Sequence, residues 1–231
     1  MKKIATLVAA LAIIPAFAAV TSDASACGMS VRLEPTPLKA KPSPVQEIAR
    51  AEKALESNQN TEAAKTVLAN FSNVRGVTAG DNPLETRALR VFALAVVRSN
   101  GVVNERNSGS WSSTEWTPTA NLEWAIQSLR EIDAKRPNDP TVQADLGEAL
   151  SKLPRTQDES LKLLGGLAQK DLMGSPFAYA ALAKIRETKG DTAGAQAAIK
   201  RCEEMSKVPG VCKPATPAST PAAKPVANAR A

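Results

Sequence analysis

The sequence predicts an all-α fold of about four helical hairpins, set between a proline-rich spacer and a proline-rich tail. Three observations carry this expectation. Between residues 45 and 208 the apolar residues recur at helical spacing, not in the alternation of strands. Small and large residues then repeat with the length of a two-helix unit. Outside that stretch, Pro35, Pro37, Pro42 and Pro44 punctuate one arm, and Pro214, Pro217, Pro221 and Pro225 punctuate the other. Such segments lack backbone donors and apolar bulk, so neither arm can build a core.

Residues 1–26 come first and read as a secretory signal. Lys2 and Lys3 supply a positive start, and Ile4 to Ile14 form an uncharged run of apolar or small residues. That run is shorter than the ~20 residues a membrane-spanning helix needs. Pro15 interrupts it, and two small-residue cleavage sites follow, after Ala18 or after Ala26. Cys27 stands directly behind the second. A cysteine in that place resembles a bacterial lipoprotein processing box, although Ala24 occupies the position where Leu is usual. The expected location is therefore outside the cytoplasm. The chain is periplasmic or secreted, or held to a membrane through Cys27 if that residue is acylated.

Residues 27–44 follow as an extended spacer, and residues 209–231 close the chain as a disordered tail. Charge separates these arms from what lies between them. The whole chain carries +6, yet residues 45–212 hold 21 basic and 21 acidic side chains. A surface built to follow phosphates would concentrate its Lys and Arg on the folded part, so nucleic acid is not an expected partner.

In the first hairpin, Ile48 and Leu55 precede a turn near Asn58 to Asn60, and Ala64 and Leu68 follow it. The second unit is split, with helix-like stretches from Leu84 to Ser99 and from Ala120 to Lys135. Ala125, Leu129, Ile132 and Pro137 form its second half, and Pro137-Asn138-Asp139-Pro140 marks the break to the next unit. In the third, Leu146-Gly147 and Leu150 lie before a turn at Pro154, and Leu164 and Leu167 lie after it. The fourth is the clearest. Tyr179, Leu182, Ala183, Ala195, Ile199 and Cys202 flank a Gly190-Asp191 turn. Small residues such as Ala183 and Ala195 let two helix backbones approach, and large apolar residues on neighbouring turns fill the space around the contact.

This spacing resembles the tetratricopeptide repeat (TPR), a helix-turn-helix unit, over about residues 45–208. The resemblance implies a right-handed stack of hairpins whose concave face binds a protein or an extended peptide. The pattern departs from the family at Glu52 and Arg90, which replace small residues, and at Arg186, which replaces an apolar one. A generic helical bundle is the other reading of the same periodicity.

The segment splitting the second unit, residues 101–118, is polar yet contains Trp111 and Trp116. These two side chains either contact a partner, as exposed Trp often does, or fold back over an apolar gap. Trp124, on the next helix, is expected in the core.

Reactive chemistry is constrained by what the sequence lacks. With no histidine anywhere, Ser-His-acid and Cys-His nucleophiles, His-ligated zinc and histidine bases are all excluded. No glycine-rich phosphate loop, CxxC pair or acidic calcium loop is present either. Glu203-Glu204 and Asp158-Glu159 are expected to solvate outer helix faces or to favour a helix start. Accordingly no catalytic residue, metal or cofactor is expected, and the chain does not read as an enzyme. The three cysteines point to one disulfide and one odd thiol. Cys202 and Cys212 flank Pro209-Gly210 and form the natural pair, unless Cys202 is only a small buried residue. Pairing would leave Cys27 over, as lipidation would require. The functional expectation is an exported scaffold or adaptor of the cell envelope, with a lipid-anchored structural or assembly factor as the alternative.

Overall fold

The structure, a computed structural model, describes residues 42–103 and 117–213. The signal segment, Cys27, Trp111, Trp116 and the tail from residue 214 lie outside the described residues. Within them the chain is all-helical, with eight α-helices: α1 (Pro44–Glu56), α2 (Asn60–Asn70), α3 (Pro83–Arg98), α4 (Pro118–Lys135), α5 (Pro140–Leu150), α6 (Gln157–Gln169), α7 (Pro176–Thr188) and α8 (Thr192–Met205). Two short 3-10 turns, Val74–Gly76 and Pro154–Thr156, complete the secondary structure.

A single local device starts most of these helices. Ser43-Pro44, Asn82-Pro83, Thr117-Pro118, Asp139-Pro140 and Ser175-Pro176 each place a capping side chain just before a proline at the first helical position. The cap accepts a hydrogen bond from an N–H of the first turn, and proline sits where its missing N–H is no loss. Pro44 and Pro118 therefore belong to helices, although their composition places them with the spacer and the insertion. The tail boundary shifts as well. Residues 209–213 remain in the folded domain because Cys212 is bonded to Cys202 of α8.

Consecutive helices pack against one another from α1 to α8, and the odd-numbered helices also touch in succession, α1 with α3, α3 with α5, and α5 with α7. One apolar core runs from α1 through α5 around Ile48, Leu89, Phe92 and Leu129, all essentially inaccessible to solvent. A second joins α5 to α8 around Leu164, Tyr179, Leu182 and Cys202. Gly147 permits the closest approach in the third pair, since a Cβ there would lie 2.4 Å from Leu164 Cδ2. Ser160 Oγ then donates to the Gly147 carbonyl at 2.6 Å, closing the buried α5–α6 seam.

The split second unit still closes on itself. Gly101, at φ +78°, lies so near Pro118 that a side chain at Gly101 would collide with the Pro118 carbonyl. Asn121 of α4 ties this base together, donating to the Gly101 carbonyl at 2.9 Å and accepting from Arg75 at 2.8 Å. Trp124 is only half-buried, at the edge of the core instead of inside it. Its ring meets Phe92 edge-on at 5.6 Å, and the Arg75 guanidinium lies 4.6 Å from its centroid.

Candidate functional site

The layer made by α1, α3, α5 and α7 carries two adjoining hollows, of about 640 Å³ and about 280 Å³. Arg98 and Phe177 line both, so together the hollows form one groove with that pair at its centre. The end of α8 and the segment after it wall both halves, with Met205 to Val208 on the larger and Gly210 to Lys213 on the smaller. The segment's hold on the domain is partly covalent. Cys202 and Cys212 form a disulfide across ten residues, with Cα atoms 5.7 Å apart.

The groove floor is built from ion pairs between neighbouring odd helices. The basic face of α3 lies between acidic positions of α1 and α5. Arg87 Nε donates to Glu52 of α1 at 2.6 Å, Arg90 to Asp145 of α5 at 2.5 Å, and Arg98 to Glu148 of α5. The last pair is bidentate, at 2.9 and 3.0 Å, and its side chains are only 8% and 4% exposed. Arg98 also reaches the Leu55 carbonyl of α1 at 3.3 Å, and its guanidinium lies 3.7 Å from the Phe177 ring centroid of α7. One side chain thus joins all four odd helices. Two of the departures from the repeat pattern, Glu52 and Arg90, belong to this ladder. The third, Arg186, bonds the Gly194 carbonyl at 3.0 Å and faces Asp191 across the α7–α8 turn.

Burial shapes the electrostatics here. Loss of water pushes the Asp145 carboxyl up to about 6; the Arg90 and Arg98 guanidiniums oppose this and Glu148 adds to it. At the smaller hollow, burial pulls the Lys152 ammonium below its ordinary range. Glu148 opposes that shift, while Lys184 and Arg98 reinforce it.

The other carboxylate pairs are surface features. Asp158 and Glu159, in the first turn of α6, meet Lys189 and Arg130, and Glu204 meets Arg201. Among the described residues no group of three or more His, Cys, Asp or Glu side chains converges as a metal site, and no helix is long and apolar enough to cross a membrane. The residues that build the groove, Arg98, Asp145, Glu148 and Phe177, are not singled out by periodicity. The available signal was the charge carried by α3 and α5 on faces that otherwise bury apolar residues. Comparison of the chain with protein-family models, curated proteins and solved structures returns no match.

Proposed function

We propose that this chain is an exported protein-binding scaffold or adaptor of the bacterial cell envelope, built as a TPR-like right-handed stack of hairpins. The observation that carries the reading is the groove along the odd-helix face. Its two adjoining hollows are lined by both apolar and charged groups, and among the described residues no cluster of metal-ligating side chains converges. An extended segment fits such a surface better than a compact small molecule does, because its side chains can sample successive pockets. The disulfide suits an oxidising compartment, in line with the leader at residues 1–26.

Affinity capture from the native host tests this directly, comparing the wild-type chain with Ala181→Arg, which fills the smaller hollow from the half-buried surface of α7. Loss of a specific partner in the variant, with unchanged thermal stability, is the expected result. Retention of that partner would refute a role for the groove. The alternative reading, a lipid-anchored assembly factor, rests on Cys27 having no place in the Cys202–Cys212 bridge. Mass spectrometry of the mature N-terminus decides it. An acylated Cys27 supports the anchor, and a chain beginning at Ala19 rules it out.

A further inference from the structure

The two ends of the groove differ in charge. At the smaller hollow Arg98, Lys152, Lys184 and Lys213 face only Glu148 and Glu187 among the described lining residues, and Glu148 is held in a bidentate pair by Arg98. These lysines come from three separate elements: the turn after α5, the α7 helix, and the segment behind the Cys202–Cys212 disulfide. Lys152 donates to Asn100 Oδ1 at 3.0 Å, and a neutral amide does not cancel its charge. Burial destabilises the charged form of Lys152 most, Glu148 opposes this, and Lys184 and Arg98 add to it. The lining thus carries four cationic side chains against two carboxylates, an excess that an incoming anion would offset.

The anion would also meet apolar surface. Phe177, Ala181, Ile199 and Val211 line the same hollow beside the lysines. A ligand matching both features carries a carboxylate next to an apolar side chain. The larger hollow does not continue the cationic excess that a polyphosphate would follow, because Glu52, Glu56 and Asp145 line it against Arg90, Arg98 and Lys207.

We infer that the lysine-lined end of the groove receives acidic side chains of an extended partner segment, in which Asp or Glu stands beside an apolar residue. The inference rests on the groove reading proposed above and adds the chemical class of the partner. The cationic end sets the direction in which such a segment lies. The disulfide holds Lys213 in the cluster.

Fluorescence anisotropy on the full mature chain tests it, with a labelled peptide of alternating Glu and Leu, capped at both termini so that only side chains are charged. Lys-Leu and Gln-Leu analogues and a duplex DNA oligonucleotide serve as comparisons. The Glu-Leu peptide should bind most tightly and weaken as NaCl rises from about 50 to about 300 mM. The double variant Lys184→Glu/Lys213→Glu changes two exposed residues and should lose about ten-fold in affinity, with its melting temperature unchanged. Equal binding of the Glu-Leu and Lys-Leu peptides, or unchanged affinity in the double variant, overturns the inference. Preference for DNA overturns it in favour of phosphate recognition. If no peptide binds, the acidic-segment inference falls, while the groove reading is decided separately by capture with Ala181→Arg.

Discussion

Replacing Glu148 with alanine removes the only carboxylate among the described residues that Arg98 contacts at hydrogen-bond distance. The guanidinium stays 8% exposed on its side chain, keeping one carbonyl contact at 3.3 Å and the face of Phe177. Helix propensity changes little between Glu and Ala, so the cost is electrostatic. Leaving one partner of a buried pair uncompensated costs about 3 to 5 kcal/mol. For a domain of this size that corresponds to a fall in melting temperature on the order of 10 °C. The assay is urea unfolding at pH 7 followed by far-UV circular dichroism, with heat melts alongside. Arg98→Met should cost a comparable amount because it strands Glu148. The double replacement Arg98→Met/Glu148→Leu should recover most of the loss, since apolar side chains can replace a buried pair without penalty. A loss below about 1 kcal/mol for Glu148→Ala would show that water screens the pair as it does an exposed one, and the ladder would then not hold the groove floor together.

Three further outcomes follow from the same structure. Asp145 binds its proton more tightly folded, at about 6, than unfolded, at 3.8, so its contribution to stability declines as pH rises from about 4 to about 6. The change is on the order of 3 kcal/mol, and Asp145→Asn should flatten the pH dependence of urea unfolding across that window. Reducing the Cys202–Cys212 bridge should cost about 2 to 3 kcal/mol, read as a lower melting temperature with dithiothreitol, and should raise hydrogen exchange in residues 207–213 before α1 to α6. Gly147→Ala forces a Cβ against Leu164 and should destabilise the domain by about 1 to 3 kcal/mol in the same unfolding assay.

The helices were legible in the sequence because local signals agreed with one another. Apolar spacing marked Ile48, Leu55, Leu129 and Leu182 as inward-facing, and all four are buried. Gly190-Asp191 forms the α7–α8 turn, with Gly190 at φ +79° and Asp191 capping α8. Composition alone groups Pro44 with the spacer, whereas it opens α1 behind the Ser43 cap. The candidate site was less legible because its defining contacts are not local. Glu52 and Arg87 are 35 residues apart, Arg98 and Glu148 50, and Arg90 and Asp145 55. Periodicity reports which residues share a helix face, whereas pairing across helices depends on how those helices are arranged. From the sequence, Glu52 and Arg90 could be recognised only as departures from an apolar pattern. The opposite charges on neighbouring odd helices explain them.

The most direct test of a binding groove is site-specific photocrosslinking in the native host. A photoreactive side chain at Ala181, inside the groove, is compared with one at Gln127, on the exposed surface of α4. One identified partner should crosslink from Ala181 and not from Gln127, with the adduct lost when Lys184 and Lys213 are reversed to Glu. Equal crosslinking from both positions, or a partner captured only from Gln127, would contradict the groove reading.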